Sequence, residues 1–186
     1  MILITGGSGS GKSAFAEQMA CSLHESCNRG NLIYLATMEA YGEEGAQRVR
    51  RHRKLRAGKG FLTIEKTSHL QELMFKQTDT VLLECVSNLT ANEMFTKERF
   101  VPEVCDKVTE QIGTITKQCK NLVVVTNDVF GDGTDYSRET VIYMEQLGKI
   151  NCELAKKAEK IYEVVYGIPI CVFDADDTPD NRTDEG

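Results

Sequence analysis

Residues Gly6-Gly7-Ser8-Gly9-Ser10-Gly11-Lys12-Ser13 set two glycines five positions apart, with a lysine and a hydroxyl directly after the second. That spacing suits a loop that cradles phosphate. The glycines let the backbone curl so that its N–H groups converge on an anion. An apolar run, Ile2-Leu3-Ile4-Thr5, precedes the loop, and a helix-compatible run from Ala14 to Ala20 follows it. A Gly/Ser turn could join the same two elements, but strand–loop–helix is the context in which this motif works. The helix N-terminus adds roughly half a positive charge. Lys12 would reach the β- and γ-phosphates, and the Ser13 hydroxyl would ligate Mg²⁺.

A second concentration of chemistry lies at Arg48-Val49-Arg50-Arg51-His52-Arg53-Lys54-Leu55-Arg56. Five arginines and a lysine surround one histidine in a chain of net charge −6. Guanidinium forks match phosphate geometry, so several together suit a triphosphate. A histidine among phosphates could attack a nucleotide α-phosphorus, and nearby cations favour its neutral, nucleophilic form. The same residues also fit a solvated basic helix face with an incidental histidine.

The elements needed to position these groups are legible along the chain. Leu32–Thr37, Phe61–Glu65, Thr80–Glu84, Leu122–Thr126 and Ile161–Tyr166 read as strands. Ser68 with Gln71 predicts a capping box and a helix to about Lys76. Further helices are expected over Pro102–Cys119 and Arg138–Lys157, and Ile170–Phe173 as a short edge strand. Alternation of strand and helix predicts an α/β fold with a mostly parallel central sheet flanked by helices. Ligands then sit at the carboxyl ends of the strands. The Gly6 loop, the segment after Thr37, Glu84 and Asn127 should therefore line one crevice.

Composition bounds the alternatives. The 186 residues suffice for one self-supporting core, expected over residues 1–173, with an acidic, frayed tail over 174–186. The acidic balance disfavours a general nucleic-acid or membrane surface. No apolar run is long enough to span a bilayer, and no secretory leader is expected ahead of the glycines that begin at residue 6. Seven cysteines without a Cys-x-x-Cys pair suit reduced thiols in a cytoplasm, not a disulfide framework or a zinc site. His24 and His69 lack ligand-type partners in sequence and are expected in surface or packing roles. Tyr136-Ser137-Arg138 fits either a mobile loop over the site or a plain turn.

These residues carry a resemblance to the adenosylcobinamide kinase/adenosylcobinamide-phosphate guanylyltransferase family of cobalamin biosynthesis. The matching stretches, in order, are Gly6–Ser13 with Ala16-Glu17, Tyr34-Leu35-Ala36-Thr37, Arg48–Arg53, Phe61–Glu65 and Leu82-Leu83-Glu84-Cys85. Val125-Thr126-Asn127-Asp128-Val129, Gly148–Asn151 and Gly167-Ile168-Pro169 continue the series, which spans about residues 1–170. The resemblance implies a P-loop NTPase of RecA-like fold, Mg²⁺ dependence and a homotrimer. It implies two reactions: phosphorylation of an adenosylcobinamide hydroxyl by ATP or GTP, then transfer of GMP from GTP through a guanylylated histidine. By position that histidine is His52. GTP contacts fall on Gly6, Gly7, Ser8, Gly9, Ser10, Gly11, Lys12, Ser13, Thr37, Met38, Glu39, Arg53, Lys54, Leu55, Arg56, Glu65 and Glu84, with Ser13 and Glu84 at the metal.

Residue chemistry agrees with several of these positions. Glu65 could accept from guanine N1–H and N2–H, donors that adenine lacks, or it could be a solvated strand-end charge. Glu84 could hold Mg²⁺ or bond the nucleotide, or be satisfied by a helix N-terminus or a lysine. The chain also departs from the family pattern: helix arginines fall on Val141 and Met144, a tryptophan on Phe61, and an arginine on Lys149. A small-metabolite kinase without guanylylation and a GTP-binding regulatory protein are the alternative readings.

Overall fold

The computed structural model describes residues 1–27, 29–39, 58–129 and 136–177. Its strands are β1 (Ile2–Thr5), β2 (Leu32–Ala36), β3 (Leu62–Glu65), β4 (Thr80–Glu84), β5 (Asn121–Val125), β6 (Lys160–Val165) and β7 (Ile168–Asp174). They form one sheet in the order β3-β2-β4-β5-β1-β6-β7. All neighbours are parallel except β6 and β7. The central strands are apolar almost throughout because both faces are covered.

Helix α1 (Lys12–Cys27) packs on one face; α2 (Val86–Met94), α3 (Cys105–Gln118) and α4 (Arg138–Ala155) lie on the other. Alternate strand residues divide between two cores. Leu3, Leu35, Val81, Leu83 and Val124 join the α2–α4 side, and Ile4, Leu82, Val123 and Val125 the α1 side. In α3, Val108, Ile112 and Ile115 repeat at helical spacing and are fully buried.

The register fixes where the site must be. Glu65 pairs with Ala36, Ala36 with Glu84, Glu84 with Val125, and Val125 with Ile4. One row across the sheet thus ends five parallel strands together, and the loops after them open along one rim.

Several local expectations change. The Ser68–Lys76 segment is not a helix; it forms a single 3-10 turn over Leu70–Glu72. Its N–H groups are taken by side chains from other elements: His69 by Glu93, Leu70 by Gln111 and Phe75 by Gln118. Ser68 bonds the His69 ring instead of capping. Helix α3 starts at Cys105 rather than Pro102 because the buried Gln146 carboxamide of α4 accepts from the Val104 and Cys105 N–H groups, at 3.0 Å each. Helix α2 is an addition. The β6–β7 turn is Tyr166-Gly167, both with positive φ, as a two-residue hairpin of the I′ kind demands. Pro169 sits in β7, an edge strand, where its missing N–H costs no ladder bond to a further neighbour. Asp174 ends β7, bonded by Lys160 Nζ at 2.7 Å, and Ala175–Asp177 make one 3-10 turn.

Cys119 follows α3 and is buried, and burial pushes its thiol up to about 11 from 9.0. The unfolded chain ionises this thiol first, so its contribution is intact below pH 9 and is lost as pH rises towards 11. Urea unfolding of wild type should lose about 2–3 kcal/mol over that window relative to Cys119→Ala. Parallel stability curves for the two proteins would refute this.

Candidate active site

The phosphate loop links β1 to α1. Gly6 cannot carry a side chain, because a Cβ there would lie 2.6 Å from the Val164 carbonyl oxygen. Gly11 has φ +92°, and its Cβ would meet the Gly167 Cα at 3.1 Å. The hairpin turn therefore presses on the loop, and the Gly167 N–H donates to the Ser10 carbonyl at 2.7 Å. The Phe15 N–H donates to the Gly11 carbonyl, which starts the helix ladder. The first-turn N–H groups of α1 before it have no intrahelical acceptor. No acidic residue in that turn offsets their field.

Lys12 is only 7% exposed, and its Nζ donates to the Gly7 carbonyl at 2.9 Å. Burial lowers its pKa below 10.5, against the opposing pull of Cys85 and Glu84. Beside it, the Ser13 hydroxyl donates to Glu84 Oε1, and the Tyr34 hydroxyl donates to Oε2 at 2.8 Å. Strand order brings this about: β2 and β4 are neighbours, and the loop follows β1 two strands away from β4. Ser13 and Glu84 supply oxygen donors of the type Mg²⁺ takes. Among the described residues no group of three or more His, Cys, Asp or Glu forms a metal cage. A nucleotide-bound Mg²⁺ needs none, since phosphates and water complete its shell.

The adjoining strand ends are tied to this centre. Thr37 is fully buried; its hydroxyl donates to the Cys85 carbonyl at 2.7 Å and accepts from the Cys85 N–H at 2.8 Å. The Asn127 carboxamide donates to Ser87 Oγ at 2.5 Å, and the Asp128 N–H to the Gly6 carbonyl at 3.2 Å. Tyr143 of α4 donates to the Ser87 carbonyl at 3.2 Å, and its burial pushes the phenol up to about 12. Thr126 donates to Asn151 of α4 at 2.7 Å.

The structure thus brings Gly6–Ser13, Thr37, Glu84 and Asn127 to one rim. Met38 and Glu39 continue from Thr37, and Glu65 ends β3 at the far side of that rim. His52, Arg53, Lys54, Leu55 and Arg56 lie outside the described residues. Lys59, just beyond that segment, donates to the buried Glu17 carboxylate on α1. Ser137 is the N-cap of α4, accepting from the Thr140 N–H. Val141 is exposed and Met144 half-buried on α4. The sequence reading assigned no site role to Tyr34, Ser87, Asn92 or Gly167. Only the Tyr34 hydroxyl on an otherwise apolar strand was a usable signal.

Residues 2–172 match the family described as cobinamide kinase / cobinamide phosphate guanyltransferase. A relative from Escherichia coli strain K12, named bifunctional adenosylcobalamin biosynthesis protein CobU, is 29% identical over 184 residues, covering 91% of this chain and 98% of its own. A protein of the same name from Salmonella typhimurium strain LT2 is 28% identical over 184 residues, with the same two coverages of 91% and 98%.

Proposed function

The chain belongs to the cobinamide kinase / cobinamide phosphate guanyltransferase family, and from that premise we propose that its one phosphate loop serves two successive transfers. The enzyme is a bifunctional kinase and guanylyltransferase of adenosylcobalamin biosynthesis. In the first reaction the triphosphate of ATP or GTP lies along Gly6–Ser13. The hydroxyl of adenosylcobinamide attacks the γ-phosphorus, its proton leaves, and the bond to the nucleoside diphosphate breaks. Phosphoryl transfer needs positioning and charge neutralisation above all. Lys12 and the α1 N-terminus supply both. Ser13 and Glu84 would hold Mg²⁺, which when bound neutralises phosphate charge.

In the second reaction a ring nitrogen of His52 attacks the α-phosphorus of GTP, and pyrophosphate leaves. A phosphate oxygen of adenosylcobinamide phosphate then attacks that phosphorus and releases the imidazole. Two easier displacements replace one. Arg53, Lys54 and Arg56 hold the triphosphate, with Leu55 between them. Met38 and Glu39 contact the nucleoside, the fully buried Thr37 fixes the strand end they leave by its bonds to Cys85, and Glu65 accepts from guanine N1–H and N2–H. The observation that carries the reading is the Ser13–Glu84–Tyr34 contact beside a buried Lys12. All seven cysteines are free, which accords with a cytoplasmic setting; we extend the family reading to a homotrimer.

Incubation with α-³²P-GTP and Mg²⁺, then denaturation, tests the covalent route. The expected label survives denaturation, is lost in mild acid and resists base, as a phosphoramidate does. Absence of label would eliminate the histidine route. A separate assay with ATP and adenosylcobinamide measures the kinase reaction.

A further inference from the structure

A second concavity, of about 550 Å³, opens beside the crevice at the ends of β2 and β3. Among the described residues its wall includes Thr67, Ser68, Asn92, Phe95, Lys97 and Arg99. The wall is joined to the active-site rim: Asn92 Nδ2 donates to the Thr37 carbonyl at 2.8 Å and to the Thr67 carbonyl at 2.9 Å. Its floor is a buried carboxylate. Glu93 Oε1 accepts from the His69 N–H at 3.1 Å and from Gln111 Nε2 at 2.9 Å, and Oε2 pairs with Lys107 Nζ at 2.5 Å. The outer lip is a small hairpin. Thr96 and Arg99 close it by two hydrogen bonds, and the Phe95 and Phe100 rings pack at 5.3 Å.

We propose that this pocket receives the carboxamide-bearing edge of the corrinoid acceptor. The proposal rests on the function given above. Three arguments select that ligand over a nucleotide triphosphate. The phosphate loop lies across the sheet, after β1, whereas the pocket lies by β2 and β3. The charges of its lining balance: Glu93 and Glu98, with Glu39 at the border shared with the nucleoside, against Lys97, Arg99 and Lys107. A triphosphate needs a cationic excess, while a carboxamide needs donors and acceptors together, and this wall offers both. Phe95, 47% exposed, presents an apolar face to the rim of a macrocycle. The volume is that of a small-ligand pocket, so it holds one edge of the corrinoid and leaves the rest outside.

The test is equilibrium dialysis of adenosylcobinamide, followed by corrin absorbance, against wild type, Lys97→Ala/Arg99→Ala and Phe95→Ala. Circular dichroism and thermal melting check the fold of each variant. The dissociation constant should rise about tenfold or more in the double variant, because it loses two charge-assisted hydrogen bonds. Phe95→Ala should shift it in the same direction, and the KM for GTP should not move in either. Corrinoid affinity unchanged in both variants, or no binding to wild type, overturns the proposal. A rise confined to the KM for GTP overturns it too, by making the pocket a nucleoside subsite. Failure of the broader function would instead appear as absent phosphorylation and absent guanylylation in a wild type that binds the corrinoid.

Discussion

Replacement of His52 by alanine is expected to erase the covalent GMP label and to cut guanylyl transfer by about 10⁴-fold or more, the scale of losing a nucleophile. ATP-dependent phosphorylation of adenosylcobinamide should persist in the same variant. The reason for the split is that the kinase centre proposed above is built from other parts. Ser13 and Tyr34 each donate to the Glu84 carboxylate, and Lys12 lies against the Gly7 carbonyl. The measurement is radioactivity retained on denatured protein, beside phosphorylated corrinoid formed per minute. Equal label in wild type and His52→Ala would mean another nucleophile, and His24 or His69 would be the next histidines to replace. Loss of both activities in a folded variant would contradict a histidine that serves only the second transfer.

Much of the framework was legible because burial on both faces leaves a direct trace. Val81–Leu83 and Leu122–Val125 are continuous apolar runs, as strands covered on both faces carry. Placing Glu84 and Asn127 at strand ends followed from the same runs, and the register aligned those ends in one row. Local signals misled where distant side chains compete. The Ser68/Gln71 pattern has the local chemistry of a helix start, yet Gln111, Gln118 and Glu93 capture the segment's N–H groups from sequence-distant elements. Helix α2 has only nine residues, and Ser87, Thr90 and Glu93 are buried beside its apolar side chains, so its pattern was not amphipathic.

The site was legible in its motifs but not in its wiring. Tyr34 meets Glu84, and Asn92 meets Thr37, only because β2 lies beside β4 and α2 follows β4. Strand order is not written in hydrophobic periodicity. Likewise Gly167 touches the phosphate loop because β6 pairs with β1. The Arg48–Arg56 segment, outside the described residues, remains known through residue chemistry and family alone.

Replacement of Lys12 should have the opposite signature to that of His52: on the proposal that both transfers load their triphosphate into the same loop, they fall together, each by about 10²–10³-fold. Arginine should not rescue. A guanidinium is a planar fork, and the ammonium at this position is almost wholly enclosed beside the Gly7 carbonyl. The fold itself should tolerate the change. Burial lowers the Lys12 pKa from 10.5, so at neutral pH the charged form is disfavoured in the folded protein relative to the unfolded chain. Lys12→Met removes that cost while keeping the apolar stem, and its melting temperature is expected to equal or exceed that of wild type. Steady-state assays of both reactions, with a thermal melt on the same preparation, decide the matter. A destabilised variant would mean that Lys12 is chiefly a structural partner of Gly7 and Glu84. Retention of either activity near the wild-type level would show that one transfer draws its phosphate charge compensation from somewhere other than this loop.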